Sequence, residues 1–335
     1  MRPQDLLRPE AGGIFCPAGG FYIDPGRAVA RAVVTHGHGD HCRPGHEALL
    51  ATPETAVIAR ARYGTDAYRA VETLDYGQPL RIGDVTVTLV PAGHVLGSAQ
   101  VVVEAGAARV VVSGDYKRQA DPTCRPFEPV ACDLFVTEAT FGLPVFRHPP
   151  VGQEIGRLLA SVRRFPERCH VVGAYALGKA QRLIAELRRA GWERPIWLHG
   201  ALAKLCETYE GLGVPLGPLE AATGALAGQL RGEIVIAPPG ALNDRWMRRM
   251  PDSLPVAASG WMRVRQRARQ RGVELALVIS DHADWDELTA TVRETGAAEV
   301  WVTHGAEEAL IHWCRTQGTP ARALHLVGRG EEGEA

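Results

Sequence analysis

The sequence lacks three features that would restrict its class at once. Its seven cysteines include no CxxC pair and their total is odd, so neither a disulfide framework nor a thiolate zinc site is predicted. No apolar run reaches the ~20 residues of a membrane helix, and the amino-terminal MRPQDLLRPEAGG has no basic run before an apolar core. The formal net charge is only -1, so any attraction to a polyanion must come from local patches. We therefore expect a cytoplasmic protein that makes no membrane contact.

The length and the patterning of the chain predict two domains. A chain of 335 residues exceeds the size at which one hydrophobic core usually stops growing. Residues 1–142 contain short apolar strands separated by turns, whereas from about residue 143 helical and strand patterns alternate, which predicts an α/β unit with a parallel sheet. From residue 280 the chain returns to strands that end in histidines. The prediction is one domain from residues 1–142 and 280–335, interrupted by an inserted domain at 143–279.

The segment HGHGDH at residues 36–41 places four side chains that can bind metal within six residues, at the end of an apolar strand. In an extended segment, residues two apart point the same way, so His36 and His38 can reach one ion. The glycines allow the chain to turn Asp40 and His41 toward a second ion. Imidazole and carboxylate ligands suit zinc and also accept manganese or iron, so the segment predicts a metal site without naming the metal.

Other potential ligands or acids also follow apolar strands. Five such residues lie at or just beyond an apolar run: Asp24, His36, His94, Asp115 and Glu138. Active sites commonly occupy a rim of a sheet, because the rigid sheet fixes the backbone while the loops supply side chains. We therefore expect these residues to lie along one rim of a sheet.

The ordered set of ligands resembles the metallo-β-lactamase superfamily, whose signature is HxHxDH. His94 in PAGHVLGSA and Asp115 in SGDYK follow in the matching order. The resemblance implies two divalent metal ions, zinc first and manganese as an alternative, which activate a bridging water. The implied ligands are His36, His38 and His94 for one ion and Asp40 and His41 for the other, with Asp115 as the bridge. Asp24 matches the superfamily's early aspartate, which orients ligands and does not bind metal itself.

Three later motifs resemble the β-CASP branch of the superfamily, whose members are nucleases with an inserted cap domain. They are VTEATFG at Glu138, SDHADW at His282 and THG at His304, and YALGKAQRLI matches the start of a cap helix. The implied fold is α/β, a metallo-β-lactamase αββα sandwich with an inserted α/β cap. By the same resemblance His304 completes the second metal site, and His282 protonates the leaving oxygen after hydroxide attacks phosphorus. Glu138 holds the His282 ring, and Asp40 counts among the catalytic residues as well as the ligands.

A basic run in the insertion is the strongest candidate for contact with nucleic acid. Arginine occupies every second position from Arg263 through Arg265 and Arg267 to residue 271. If extended, the run would track a phosphate backbone with one face; if helical, its guanidinium groups would spread around the axis. The sequence leaves both open. Lys179, near the start of the LGKAQRL helix, is a further candidate for a phosphate contact, as is Arg182.

The choice between DNA and RNA depends on two conflicting hints. The sequence SGWMRVRQRARQRG…SDHADW…VTHG most resembles bacterial ligase-associated DNA exonucleases. This resemblance implies a repair enzyme that works with a DNA ligase and a helicase. A histidine at position 304 is instead typical of RNA-cleaving β-CASP enzymes. We favour DNA because the first match is longer. The alternatives are a β-CASP ribonuclease, a small-molecule metallohydrolase without such a cap, and a non-catalytic scaffold.

Overall fold

The structure is a computed structural model that describes residues 2–324, apart from residues 226, 251 and 271. The last arginine of the basic run, Arg271, and residues 325–335 therefore lie outside the described residues. Among those that are described, the chain up to Val145 and from His282 onward forms one compact unit. Phe146–Asp281 forms the other. The units are called the first and the second unit below, and their boundary differs by a few residues from the predicted one.

The strands of the described residues are numbered in chain order. They are β1 (Arg8–Glu10), β2 (Gly13–Cys16), β3 (Phe21–Ile23), β4 (Arg31–Val33), β5 (Ala48–Ala51), β6 (Ala70–Thr73), β7 (Pro79–Ile82), β8 (Val85–Pro91), β9 (Ala99–Ala105), β10 (Ala108–Val112), β11 (Leu134–Ala139), β12 (Cys169–Gly173), β13 (Ile196–Leu198), β14 (Leu219–Ala221), β15 (Ile234–Ala237), β16 (Ser253–Ala258), β17 (Leu275–Leu277), β18 (Glu299–Gly305) and β19 (Ala321–Ala323).

The α-helices are numbered in the same way. They are α1 (Pro3–Leu6), α2 (Pro53–Tyr63), α3 (Val151–Arg164), α4 (Lys179–Arg189), α5 (Gly200–Gly211), α6 (Arg265–Gln270), α7 (Trp285–Thr295) and α8 (Glu307–Thr316). Of these, α2 lies in the part of the chain for which only strands were predicted. Thr52 accepts a hydrogen bond from Thr55 N at its start and Gly64 follows its end, so the usual start and stop signals were present in the sequence.

The first unit contains two sheets that share a core. One sheet has the order β1-β2-β3-β4-β5-β6 and the other the order β19-β18-β11-β10-β9-β8-β7. Phe21 and Val33 of the first sheet belong to the same buried cluster as Val87 and Val110 of the second. Successive residues of a strand point to opposite faces, and Val111 accordingly belongs to a different cluster. Both faces of β10 therefore carry buried residues.

Helices cover the outer faces of both sheets. Trp285 and Leu288 of α7 and Leu310 of α8 pack with the outward-facing residues of the second sheet. Ala59 of α2 packs with Leu49 on the outer face of the first sheet. The predicted α/β class is confirmed.

Three parallel strands of the second sheet end together. Strand β11 pairs in parallel with β10 on one side and with β18 on the other. Asp115 follows β10, Glu138 lies near the end of β11 and His304 near the end of β18. Carboxyl ends of parallel strands meet at one edge, so these three side chains are brought together by topology. Asp24 and His36 instead follow β3 and β4, so the predicted single rim is in fact the adjoining ends of two sheets.

The second unit contains a parallel sheet, as the alternation of helices and strands predicts. Its order is β14-β13-β15-β12-β16-β17 and every neighbouring pair is parallel. Helix α3 buries Ile155, Leu158 and Val162, which lie on one face at a spacing of three and four residues. Among the helices of the described residues, none combines the length and the apolar composition needed to cross a membrane.

An irregularity in pairing shapes the chain around His304. Thr137 pairs with Val302, but the next pairing joins Ala139 to Gly305, so β18 contains one more residue than β11 between them. Such a bulge changes the direction in which a side chain points. Gly305 has a φ of +99°, a value that favours glycine.

Replacement of Gly305 tests how strongly the fold depends on this bulge. A Cβ at Gly305 would collide with the carbonyl oxygen of Ala139, whereas one at Gly106, which also has a positive φ, would meet nothing within 4 Å. We expect Gly305→Ala to lower the free energy of unfolding by about 1–3 kcal/mol more than Gly106→Ala, because both positions have a positive φ but only the change at Gly305 adds a steric clash. Urea unfolding followed by circular dichroism measures both. Equal losses would contradict this account.

Candidate metal centre

Three histidine nitrogens and one carboxylate oxygen converge at the end of β10. His38 Nδ1 lies 3.0 Å from both His36 Nε2 and His94 Nε2. Asp115 Oδ2 lies 3.5 Å from the first of these Nε2 atoms and 3.8 Å from the second. Ligands of a tetrahedral zinc ion at 2.0–2.1 Å stand about 3.3 Å apart, close to these separations. The donor set, three imidazoles and one carboxylate, therefore fits a divalent ion such as zinc.

A second set of candidate ligands shares Asp115 with the first. His41 Nε2 lies 3.3 Å from Asp115 Oδ2 and 3.4 Å from Asp40 Oδ2. His304 Nε2 lies 3.3 Å from the other oxygen, Asp115 Oδ1. The two oxygens of Asp115 thus face histidines of both sets, the arrangement expected of a bridging carboxylate.

Glu138 also lies near the second set, which the sequence did not suggest for a ligand. Asp115, Glu138 and His304 offer ligand atoms that all lie within 4.8 Å of one another. The Glu138 carboxylate, however, accepts hydrogen bonds from Tyr116 N (2.8 Å) and Thr140 Oγ1 (2.6 Å). These two donors orient both oxygens of the carboxylate. This arrangement suits Glu138 to accept a further hydrogen bond from a side chain rather than to bind metal.

The side chain that pairs with Glu138 is His282. Its Nδ1 lies 2.9 Å from Glu138 Oε2. The ring of His282 lies beside that of His94, with 4.7 Å between the two centres. The Glu138 side chain is fully buried while 14% of the His282 side chain is exposed. The structure therefore brings a histidine held by a carboxylate to the edge of the first ligand set.

Asp24 holds one of the ligands in place. Its Oδ2 lies 2.7 Å from His41 Nδ1 and accepts a hydrogen bond of 2.6 Å from Thr35 Oγ1. Its Oδ1 accepts from Thr35 N at 2.7 Å. A carboxylate on one ring nitrogen fixes the tautomer and directs the other nitrogen, here His41 Nε2, toward the site. Asp24 itself has a positive φ of 44°, which the surrounding hydrogen bonds hold.

The protonation states of the buried ligands suit cations. Burial, reinforced by the neighbouring His41 and His94, lowers the pKa of His36 well below its usual value, so its ring is neutral and can bind metal. Burial alone would raise the pKa of Asp115, but the charge of His41 and the hydrogen bond from His304 hold that pKa well below its usual value. Asp115, the candidate bridging residue, is therefore an ionised carboxylate among imidazoles.

Several residues that support the site were not identified from the sequence. Lys117 is buried, and its Nζ donates to His94 O at 3.0 Å and to Asp121 Oδ2 at 2.7 Å. Ser98 Oγ accepts from His94 N at 3.0 Å. Both hold the backbone that carries His94. In the sequence, these two residues are marked only by their places in the motifs SGDYK and PAGHVLGSA. Such a place does not show that a residue holds the backbone of a neighbouring candidate ligand.

Two candidate phosphate contacts in the second unit are buried. Lys179 and Arg182 are each 1% exposed. Lys179 Nζ lies 3.9 Å from Asp281 Oδ2, and Arg182 Nη1 lies 3.2 Å from Asp281 Oδ1. Lys179 and Arg182 share the Asp281 carboxylate, and their burial leaves little side-chain surface for the contact with phosphate expected of them. That contact stays a prediction.

The basic run is not extended. Arg263 ends a short 3₁₀ turn, Gly260–Arg263, and Arg265 begins α6. The guanidinium of Arg267 lies over the ring of Trp261, 3.9 Å from its centre. Of the two possibilities left open, the helical one is observed, and the predicted row of guanidinium groups along one strand face does not form.

Known proteins resemble this chain over different lengths. A protein called "Probable DNA ligase" from Opitutus terrae is 30% identical over 323 residues, which cover 93% of this chain but 30% of that protein. "Cleavage and polyadenylation specificity factor subunit 3" of Dictyostelium discoideum is 33% identical over 41% of this chain and 19% of its own length. "Endoribonuclease YSH1" of Saccharomyces cerevisiae is 29% identical over 42% of this chain and 20% of its own length. The chain thus spans less than a third of each of these relatives.

Comparison of structures supports the fold alone. A crystal structure titled as a protein of unknown function from Enterococcus faecalis V583 matches with a TM-score of 0.59 at 13% identity, over 89% of this chain and 80% of that one. No protein-family model matches the chain.

Relatives named for polyadenylation factor and endoribonuclease match part of the chain, and one named for DNA ligase matches nearly all of it. The chain belongs to the β-CASP branch of the metallo-β-lactamase superfamily.

Proposed function

We propose that this chain is a metal-dependent phosphodiesterase that cleaves nucleic acid. The observation that carries the proposal is the partly buried His282–Glu138 pair beside His94, at the edge of the candidate metal ligands. A two-metal hydrolase of small molecules needs the ligands, but a departing sugar oxygen additionally benefits from a proton donor. The first unit is accordingly proposed as the metallo-β-lactamase catalytic core and the second as the β-CASP cap.

The candidate ligands would hold two divalent ions, with zinc proposed first and manganese as the alternative. His36, His38 and His94 would hold one ion, Asp40, His41 and His304 would hold the other, and Asp115 would serve both. Bound ions would supply an activated water and neutralise charge on the attacked phosphate. The chain's own contribution is to hold these ligands rigidly, through Asp24 on His41 and Lys117 on the His94 backbone.

His282 has the geometry of a general acid. Its Nδ1 faces Glu138, which fixes the ring and leaves Nε2 as the nitrogen that can deliver a proton. An ionised carboxylate partner stabilises the charged ring, and a histidine can gain and lose its proton near neutral pH. Glu138 is in turn fixed by Tyr116 N and Thr140 Oγ1. We propose that His282 protonates the departing sugar oxygen and that Glu138 orients it.

DNA is the favoured substrate, and we propose that the chain cleaves it as an exonuclease. The proposed setting is DNA repair in the cytoplasm, together with a DNA ligase and a helicase. It is supported by the extent of one relative: the protein named as a probable DNA ligase aligns over 93% of the chain. RNA is the second candidate. It is supported by the relatives named as endoribonucleases, which align over 42–57% of the chain, and by the histidine at 304.

One assay tests the proposed function and its two substrates. The purified protein is loaded with zinc or manganese and offered matched end-labelled single-stranded DNA, duplex DNA and RNA, with a thioester as the small-molecule control. We expect metal-dependent cleavage of DNA, with products shortened from one end. Cleavage of RNA alone would replace DNA with the second candidate. Turnover of the thioester without any cleavage of nucleic acid would refute the proposal.

His282→Ala separates proton donation from metal binding. We expect cleavage to slow by about 10²–10⁴-fold, the usual scale for loss of a general acid, while metal content stays unchanged. The matched control is His312→Ala, which removes an exposed histidine of α8 in the same unit. Single-turnover rates and metal analysis give both readouts. Loss of metal, or an unchanged rate, would rule out this role.

Asp40→Ala tests the assignment of the second ion. Its carboxylate is proposed to hold only that ion, so we expect the metal content to fall by about one ion per chain while the first site stays filled. Asp84→Ala is the control, because the Asp84 side chain is 86% exposed and lies in the same unit. Elemental analysis after dialysis measures the ratio. Full occupancy in the Asp40 variant would remove Asp40 from the ligands.

A further inference from the structure

A cavity within the second unit is lined by arginines. It is open to solvent and has a volume of about 330 Å³. The residues that matter for its chemistry are Arg157, Arg263, Arg265 and Arg269, with Met262 and Val278 among the apolar lining. Four guanidinium groups around one cavity repel each other unless anions are near, so the balance of charge around them decides what the cavity can bind.

One of the four arginines is fixed in place by the fold. Arg157 Nη1 lies 2.6 Å from Glu154 Oε2, and the same oxygen accepts a hydrogen bond of 2.8 Å from Val278 N. The Glu154 side chain is 6% exposed while that of Arg157 is 49% exposed. A buried carboxylate thus orients Arg157, and the guanidinium reaches the cavity with part of its surface open to solvent.

The other three arginines differ from Arg157 in their ion pairing. Within the described residues, no carboxylate forms an ion pair with Arg263, Arg265 or Arg269. Arg265 and Arg269 are four residues apart on α6, so they lie on the same face of that helix and both line the cavity. One buried carboxylate therefore faces four guanidinium groups, which leaves a net positive site.

The apolar lining and the size of the cavity narrow the range of ligands that it can bind. A volume of about 330 Å³ lies at the lower end of small-molecule sites, which span about 300–1,000 Å³. Arginine binds phosphate with two parallel hydrogen bonds, so several guanidinium groups suit a phosphate group. Met262 and Val278 offer apolar surface to the rest of the ligand. A phosphate attached to a partly apolar group satisfies both the arginines and the apolar residues of the lining.

We propose that this cavity binds a nucleotide unit, with its phosphate among Arg157, Arg263, Arg265 and Arg269 and its base against the apolar lining. The nucleotide is either part of a nucleic-acid strand or free. This inference builds on the proposed function, because it assigns the second unit a separate place to hold the substrate class. It does not depend on cleavage, since none of the four arginines is a proposed metal ligand or proton donor.

Binding is measured with the full chain in EDTA, so that no cleavage occurs. A fluorescein-labelled DNA strand reports affinity by anisotropy over a series of salt concentrations, and calorimetry measures adenosine monophosphate and inorganic phosphate. We expect Arg265→Ala/Arg269→Ala to weaken strand binding by about tenfold. The slope of log K against log salt should become shallower by about 1.4, because each lost phosphate contact on a single strand contributes about 0.7.

Two further double variants serve as controls. Arg163→Ala/Arg231→Ala removes the same charge from exposed arginines of this unit that do not line the cavity, and we expect the salt slope to stay as in the unchanged chain. Arg265→Lys/Arg269→Lys keeps the charge but loses the paired hydrogen bonds, so affinity should fall while the slope is retained. Circular dichroism confirms that each variant is folded.

The outcomes identify the source of the nucleotide or overturn the inference. Loss of adenosine monophosphate binding in the Arg265/Arg269 alanine variant assigns the cavity to a free nucleotide, whereas loss of strand binding alone assigns it to nucleic acid. Binding of inorganic phosphate as tight as that of the nucleotide, or equal effects of the cavity and control variants, overturns it. Arginine-dependent binding without cleavage of any substrate would refute the proposed function but leave this inference standing.

Discussion

The Asp115 carboxylate is the constraint on which the arrangement of the first unit depends. Four imidazole nitrogens lie 3.3–3.8 Å from its two oxygens, and they come from segments that follow or end different strands. Burial of a polar group costs free energy unless the group finds a partner. The strands that carry Asp115 and these histidines must therefore end at the same place, although they belong to both sheets. The hydrogen bonds of Asp24 and Lys117 and the bulge that precedes Gly305 all serve this convergence.

The convergence of the candidate ligands could be predicted from the sequence because metal chemistry limits residue type and spacing together. His36, His38, Asp40 and His41 are adjacent in the chain, and the strand patterns before His94 and Asp115 are plain. Their distribution over two sheets could not be predicted in this way. The period of two in a strand specifies which residues share a face but not which strands pair, and pairing here is set by the core that both sheets share.

The roles of charged side chains were harder to predict than the positions of ligands. Alternate arginines from 263 onward have the period of a strand, but Arg, Gln and Ala favour helix, and α6 forms. Helical geometry then separates the run: Arg265 and Arg269 reach the cavity, while Arg267 stacks on Trp261. Lys179 resembles a surface cation in sequence, yet its carboxylate partner, Asp281, is about a hundred residues away, and local patterns do not report such a pair.

The near-neutral net charge gives these local groupings their importance. With a formal charge of -1, the chain as a whole exerts little long-range attraction on a polyanion. Affinity for phosphate must then come from groups held close together at short range, where each guanidinium acts directly on a ligand oxygen. Arg157 fits this requirement because Glu154 fixes it before any ligand arrives, so less conformational entropy is lost on binding. A protein of this charge can thus bind phosphate groups through a few oriented arginines, and the arginines of this cavity are distinct from the candidate metal ligands around Asp115.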